Sequence, residues 1–291
     1  MRILITGATG YIGRSLVSTL RIKYDLVCFV RSAKKLDVSD KVQVIQGDLT
    51  DLNFRKLLPK DIDTIIHLAQ ANASFPDRAN ELFSVNTTAT QRLADYAYET
   101  GVSHFIHFSS GNVYSKSVSP LLETSPRKSI DFYSLTKNTS EDLLRCYEDV
   151  FNISIFRLFG PYGPGQNNRI IPKIINLVRE RKTITLYNDG QPRINPIYID
   201  DLIRIIDICL SLKGYNVFNV GGPKVLSIKD IAEIAGAVLK KEPNFKLEYN
   251  PERWNLIADI TKLCSLIDRE GLMDPFEGIS KTTEEIQRKT L

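Results

Sequence analysis

A short, mostly apolar run near the start of the chain, Arg2-Ile3-Leu4-Ile5-Thr6, stops at Gly7, and two further glycines follow at positions 10 and 13. A run of this length ended by glycine reads as a buried parallel strand. Gly7 permits a tight turn, Gly10 lets backbone N–H groups approach a pyrophosphate, and Gly13 lets the next helix pack close to the sheet. The pattern from Tyr11 to Arg21 is helical. The start of that helix turns its partial positive charge towards whatever the turn holds. Gly7, Thr9, Gly10, Tyr11, Ile12 and Gly13 are therefore expected to cradle the phosphates of a nucleotide.

The first half of the chain continues in the same style. Apolar runs at Leu26–Val30, Val42–Ile45, Thr64–His67, Phe105–Phe108 and Ser154–Phe156 alternate with helical patterns near Leu52–Leu58, Glu81–Glu99 and Ser134–Val150. This alternation predicts an α/β fold, a doubly wound parallel sheet of the Rossmann type with helices on both faces. Ligands of such sheets sit beyond the carboxyl ends of the strands. Gly7, Arg31, Asp48, the stretch Leu68–Ala71 and Ser109–Ser110 all fall there. A turn-rich break, Gly160-Pro161-Tyr162-Gly163-Pro164-Gly165, marks a domain boundary. Residues 1–160 are expected to form the dinucleotide-binding domain, with 195–220 returning to it. Within that return, Asn195–Ile199 and Val217–Val220 are candidate strands. Residues 161–194 and 221–291 are expected to form a smaller C-terminal α/β domain that binds substrate.

Charge and cysteine usage narrow the partners. The net charge of +4 is small and dispersed, which argues against nucleic acid. No apolar stretch is long enough to span a bilayer, and the start lacks the basic-then-apolar order of a signal peptide. Cys28, Cys146, Cys209 and Cys264 stand far apart without metal-ligand spacing. They are expected to be reduced thiols of a cytoplasmic protein without a metal site. Cys146 is expected to pack inside its helix. His67 is expected to close its strand, and His104 and His107 to be structural.

Tyr133-Ser134-Leu135-Thr136-Lys137 sets a phenol and an ammonium one helical turn apart. A free phenol titrates near ~10. It needs a nearby cation and a dry site to exchange a proton near neutrality. Other segments stand in a telling order around this pair: Gly47-Asp48-Leu49-Thr50-Asp51, His67-Leu68-Ala69-Gln70-Ala71, Asn86 at a helix start, and Ser109-Ser110-Gly111-Asn112-Val113-Tyr114. Downstream come Arg157-Leu158-Phe159-Gly160-Pro161-Tyr162-Gly163-Pro164, Arg193 before Tyr198-Ile199-Asp200-Asp201, and Asn219-Val220-Gly221-Gly222. With the cradle, this series resembles the extended short-chain dehydrogenase/reductase superfamily, in its NAD-dependent epimerase/dehydratase branch.

The resemblance implies an NAD(P)-dependent enzyme acting on a nucleotide sugar. It gives Tyr133 the general acid/base role, Lys137 the nicotinamide ribose and the lowering of the phenol's pKa, and Ser110 the reacting oxygen. Asp48 and Leu49 contact the adenine. Leu68, Ala69 and Gln70, with Ala71, line the path of the pyrophosphate and nicotinamide ribose, and Asn86 joins the cofactor set. Arg193 pairs with the substrate diphosphate, Arg253 is a second candidate for that task, and Asn112 faces the substrate. A homodimer is implied through helices at about Asn80–Tyr98 and Ser134–Val150.

Departures from the pattern sharpen the expectation. Dehydratases of the superfamily carry an acidic pair just after the catalytic hydroxyl, and related decarboxylases a glutamate. Here those positions are Gly111 and Asn112, neither of which exchanges a proton. The cysteine of enzymes that epimerise through an enol is also missing from this segment. Hydride transfer at a carbinol remains. At the end of the second strand Arg31 and Ser32 replace the acidic residue that NAD enzymes favour. A guanidinium suits a 2′-phosphate, and Lys34 and Lys35 add charge. NADP is thus expected in preference to NAD, with NADPH-dependent reduction of a 4-keto sugar as the activity. A 4-epimerase with retained NAD and a catalytically silent dinucleotide sensor or scaffold are the alternatives. Gly160 stands where the family commonly has asparagine, and Ile194 where it has aspartate.

Overall fold

Nine strands form among the described residues: β1 (Arg2–Thr6), β2 (Asp25–Val30), β3 (Val42–Gln46), β4 (Thr64–His67), β5 (His104–Ser110), β6 (Asn152–Leu158), β7 (Thr183–Tyr187), β8 (Tyr215–Val220) and β9 (Asn244–Glu248). They come from a computed structural model that describes all residues except 35, 37–39, 168, 189 and 290–291. Lys35, expected to add charge beside Arg31, lies outside the described residues. The chain divides into two compact units. One comprises Met1–Ser115, Pro126–Arg157 and Ile203–Phe218, the other Lys116–Ser125, Leu158–Leu202 and Asn219–Leu291.

Seven strands make one sheet in the order β3-β2-β1-β4-β5-β6-β8. The pairs from β3 through β5 are parallel, with Thr6 opposite Phe29 on one side and His67 on the other. Strands β1, β2, β4 and β5 are buried nearly throughout, which is why they read as continuous apolar runs. The strand order reverses between β1 and β4, and such a switch point opens a crevice at the strand ends. Helices α1 (Tyr11–Leu20), α2 (Ala79–Phe83), α3 (Ala89–Thr100) and α4 (Phe132–Arg145) flank the sheet. Leu93, Ala94 and Ala97 of α3 pack with Leu4, Ile65, Phe105 and Ile153 of the strands.

Helix α4 begins where it does for a local reason. Asp131 accepts from the Ser134 backbone N–H at 2.6 Å, and the Ser134 hydroxyl accepts from the Asp131 N–H at 3.0 Å. This reciprocal capping box satisfies two orphan donors of the first turn. It fixes the turn from which Tyr133 projects.

In the second unit β7 and β9 pair parallel, with Thr183 opposite Asn244. Helix α6 (Ile199–Cys209) runs from this unit into the first. Helices α5 (Ile170–Arg179), α7 (Ile228–Leu239) and α8 (Pro275–Arg288) pack on one another. Their buried stripes include Ile171 and Ile175, Ile231 and Ala235, and Ile279.

Four local expectations need correction. Leu52–Leu58 contains only a 3₁₀ turn at Phe54–Leu57, because Pro59 follows too soon for an α-helix to develop. Asn195–Ile199 is not a strand. Pro196 lacks an N–H for a ladder, and α6 already begins at Ile199. The pattern at Glu81–Glu99 is broken by a π-helical turn, Ser84–Thr88, between α2 and α3. Cys146 is exposed at the end of α4, so it is not a packing residue.

Candidate active site

The turn after β1 has no room for a side chain at Gly7 or at Gly13. Gly7 has φ +73°, and a Cβ there would lie 2.6 Å from the Ala69 nitrogen. A Cβ on Gly13 would lie 2.3 Å from the Gly7 carbonyl oxygen. The Gly10 N–H closes the turn on that carbonyl at 3.0 Å. Gly10 precedes α1 in extended conformation, no side chain caps the helix, and its first turn carries no acidic residue. Backbone donors at the helix start are thereby left for an anion, which fits the pyrophosphate of a dinucleotide. Arg14, unnoticed in the sequence, adds a guanidinium here: its Nη1 donates to the Thr9 carbonyl at 2.9 Å. Tyr11 and Ile12 are half-buried in the first turn.

The neighbouring strand ends carry the other expected cofactor residues. Arg31 and Ser32 are exposed just past β2. Asp48, past β3, is also exposed, and its Oδ1 accepts from the Thr50 N–H at 2.9 Å and hydroxyl at 2.8 Å. The Thr50 backbone bond is the largest cause holding the Asp48 carboxyl below its ordinary range, and the charge of Arg31 adds to it. Leu49 is buried.

The loop after β4 is tied down from beneath. The Leu68 N–H donates to the Thr6 carbonyl at 3.2 Å and the Ala69 N–H to the Thr6 hydroxyl at 3.3 Å. That hydroxyl also meets His67 Nδ1 at 2.7 Å, and His67 Nε2 meets the Thr90 hydroxyl at 3.0 Å. Burial, together with the charge of Lys137, pushes the His67 pKa down to about 3. His67 is thus a neutral strut. Asn86, almost fully buried in the π-helical turn, bonds both the N–H and the carbonyl of Ala71, at 2.8 and 3.2 Å. Its amide also donates to the Thr136 hydroxyl of α4 at 3.0 Å. One side chain therefore joins the loop to the helix of Tyr133.

Tyr133 is half-buried, and its hydroxyl donates to Gln70 Oε1 at 3.0 Å. Lys137, one turn on, is 1% exposed, and its ammonium donates to the Phe108 carbonyl. An ammonium has three N–H donors, so this bond leaves two for other partners. Burial pushes the Lys137 pKa down to about 8, against the opposing pull of Glu141. Ser110 ends β5 and is partly exposed. Its Oγ accepts from the Asn112 N–H at 3.2 Å and keeps its own hydrogen to donate. Gly111 is buried and Asn112 half-buried. Chemically, the first unit holds a phenol, a buried cation and a hydroxyl donor on the rigid ends of a helix and a strand.

Arg193 and Arg253 belong to the second unit, and both are exposed. The Arg193 backbone is held by Asn255 Oδ1 at 3.0 Å and by the Leu256 N–H at 2.9 Å. Among the described residues no helix is long and apolar enough to cross a membrane, and no group of three or more His, Cys, Asp or Glu is arranged to hold a metal ion.

The chain has relatives of known kind. Residues 3–221 match the NAD dependent epimerase/dehydratase family. The chain is 30% identical over 275 residues to dTDP-D-glucose 4,6-dehydratase of Mus musculus, covering 87% of this chain and 76% of the relative. It is 27% identical to dTDP-4-dehydro-6-deoxy-D-allose reductase of Streptomyces bikiniensis, covering 92% and 91%. The structure of UDP-glucuronic acid 4-epimerase from Bacillus cereus in complex with UDP-glucuronic acid and NAD superposes with a TM-score of 0.88 at 26% identity, covering 99% and 100%. The protein belongs to the NAD dependent epimerase/dehydratase family.

Proposed function

We propose that the protein is an NAD(P)-dependent oxidoreductase that transfers hydride at a carbinol or ketone carbon of a nucleotide sugar. One observation carries this reading: an uncapped, glycine-walled helix start and a half-buried Tyr133 above a fully buried Lys137 belong to the same unit. Gly7, Gly10 and Gly13 hold the pyrophosphate, with Thr9, Tyr11 and Ile12 around it. Asp48 and Leu49 flank the adenine, and Leu68, Ala69 and Gln70 line the ribose path. Asn86 acts by fixing that loop. A nicotinamide cofactor bound there would supply or take up the hydride.

The chain's own residues handle the proton. In reduction Tyr133 gives its Oη proton to the ketone oxygen, and in oxidation it takes the proton back. Lys137 as a cation stabilises the phenolate that forms. Ser110, whose Oγ already accepts from Asn112, donates to the same oxygen. Arg193 and Arg253 pair with the diphosphate through forked donors. Gly111 and Asn112 offer no acid, so the water elimination performed by dehydratase relatives is not part of the proposal.

Within this class we favour an NADPH-dependent 4-ketoreductase, because Arg31 stands exposed at the end of β2 where a 2′-phosphate would meet it. The second reading is a 4-epimerase with retained NAD, supported by the likeness to an NAD-bound epimerase over nearly the whole chain. We also propose a homodimer through α2, α3 and α4, which expose Phe83, Tyr98 and Leu135. Sedimentation at micromolar concentration would return a monomer if that is wrong.

The deciding experiment is a panel of nucleotide sugars and their 4-keto derivatives, read by NADPH oxidation and product NMR, with the cofactor content of the purified protein measured alongside. Exchangeable NADPH and a reduced product support the ketoreductase. Retained NAD and a C4 epimer support the second reading. No turnover of any nucleotide sugar would contradict both.

A further inference from the structure

The α4 stripe that carries Tyr133 and Lys137 continues, at the same four-residue spacing, to Glu141. Its side chain is 1% exposed, yet it is a carboxylate hub. Arg157 of β6 donates to it from Nε at 3.1 Å and from Nη2 at 2.6 Å. Arg127 adds a bond from Nη1 at 3.3 Å. The fourth donor is the hydroxyl of Ser109, itself buried and immediately before Ser110. The remaining arm of Arg157, Nη1, donates to the Tyr114 hydroxyl at 2.7 Å, and the guanidinium lies 4.8 Å from the centre of that ring. Tyr114 follows the 3₁₀ turn Gly111–Val113 that begins at Ser110.

We infer that Glu141 is a positioning residue for proton transfer: its buried carboxylate fastens Ser109, and with it the Ser110 hydroxyl, to the helix that carries Tyr133 and Lys137. The inference rests on the reading that Ser110 and Tyr133 act on one substrate oxygen. A buried ion pair is weak ground for a purely stabilising role, since apolar replacements are often as stable. What this one adds is location. Its donors come from the ends of β5 and β6 and from the segment before α4, and its acceptor sits two turns from Tyr133. Glu141 also supplies a negative charge towards Lys137, which otherwise faces the neutral rings of His67 and His107.

Ser109→Ala tests the link with little risk to folding, because it removes one hydrogen bond and leaves the Glu141–Arg157 pair intact. A hydrogen bond to a charged group bounds the effect at roughly 10–100-fold. The expected result is a fall in kcat of about tenfold, with sugar KM and cofactor affinity within about twofold of wild type. Ser109→Thr, which keeps the hydroxyl, restores the rate. Amide hydrogen exchange should accelerate at residues 110–114 in Ser109→Ala while the middle of α4 stays protected. An unchanged kcat beside a lowered melting temperature would mark Glu141 as merely structural and overturn the inference. The exchange measurement needs no turnover. If no nucleotide sugar reacts, the functional reading fails, and exchange at 110–114 alone decides: faster exchange upholds Glu141 as the anchor and unchanged exchange removes it.

Discussion

Two helices of the first unit solve their N-termini in opposite ways. Helix α1 starts at Gly10 with no capping side chain and no acid in its first turn. Helix α4 starts with a complete capping box, Asp131 with Ser134. Both have the same orphan N–H groups to satisfy. In α4 two of them are satisfied from within, which fixes the turn from which Tyr133 projects. In α1 they are left for a ligand, and the glycines around them keep side chains out. An open helix end costs stability until an anion fills it. On the proposed function, the difference would separate two tasks: α1 for binding and α4 for chemistry.

The largest expected effect probes α4 alone. Tyr133→Phe removes only the hydroxyl, so turnover should fall by about 10²–10⁴ while cofactor affinity, the work of α1, stays unchanged. Steady-state rates beside a fluorescence titration check both, and near wild-type turnover would break the comparison. Arg31→Asp probes the binding side alone. It replaces a cation with a repelling carboxylate, so NADPH affinity should fall by roughly 10–100-fold and the preference should move towards NADH. An unchanged ratio of dissociation constants would remove Arg31 from the cofactor site.

Acidity gives a third test. Lys137 is charged below its pKa, which burial sets at about 8. Turnover that needs the ammonium should therefore hold below that pH and fall as pH rises through about 8. Cofactor affinity, in which Lys137 shares only through the nicotinamide ribose, should fall less over the same range. A flat kcat to pH ~10, the free-lysine range, would sink the assignment. The smallest effect concerns the cap. Asp131→Ala should cost about 1 kcal/mol of stability, read as a lower melting temperature. It should slow turnover more than it weakens the cofactor, and equal losses in both would blur the division.

Much of α1's side was legible in the sequence, because its information is local. The run Arg2–Thr6, the three glycines and the helical pattern after them lie within one short stretch. The ends of β2, β4 and β5 were legible for the same reason. The α4 side was legible only in part. Tyr133 and Lys137 announce themselves by spacing, but Glu141 takes its meaning from Ser109 and Arg157, 32 and 16 residues away in the chain. The continued four-residue spacing from Tyr133 through Lys137 was the one available hint. His67 was legible as a strand end, yet its role as a strut between Thr6 and Thr90 depends on contacts 61 and 23 residues distant. Where proline intervenes, as at Pro59 and Pro196, apolar pattern overstated regular structure, because the pattern does not count backbone donors. The break in the helix at Ser84–Thr88 leaves no periodic trace, although it frees the Asn86 carbonyl to accept from Thr90 and Ser140, at 2.7 and 2.6 Å.

Giving α1 the kind of cap that α4 has tests the central claim most directly. Gly10 already has extended backbone, φ −71° and ψ 175°, the conformation of a capping aspartate. In Gly10→Asp the new carboxylate would satisfy the helix donors and repel a pyrophosphate. The new Cβ would lie 3.1 Å from the Gly7 carbonyl oxygen, so the turn must give slightly. Calorimetric titration with NADPH and NADH, beside a melting curve, should show affinity reduced by at least ~10–100-fold in a variant that still melts as a folded protein. Cofactor binding as tight as wild type, at the same melting temperature, would contradict the account, because the open end of α1 would then not be where the dinucleotide is held.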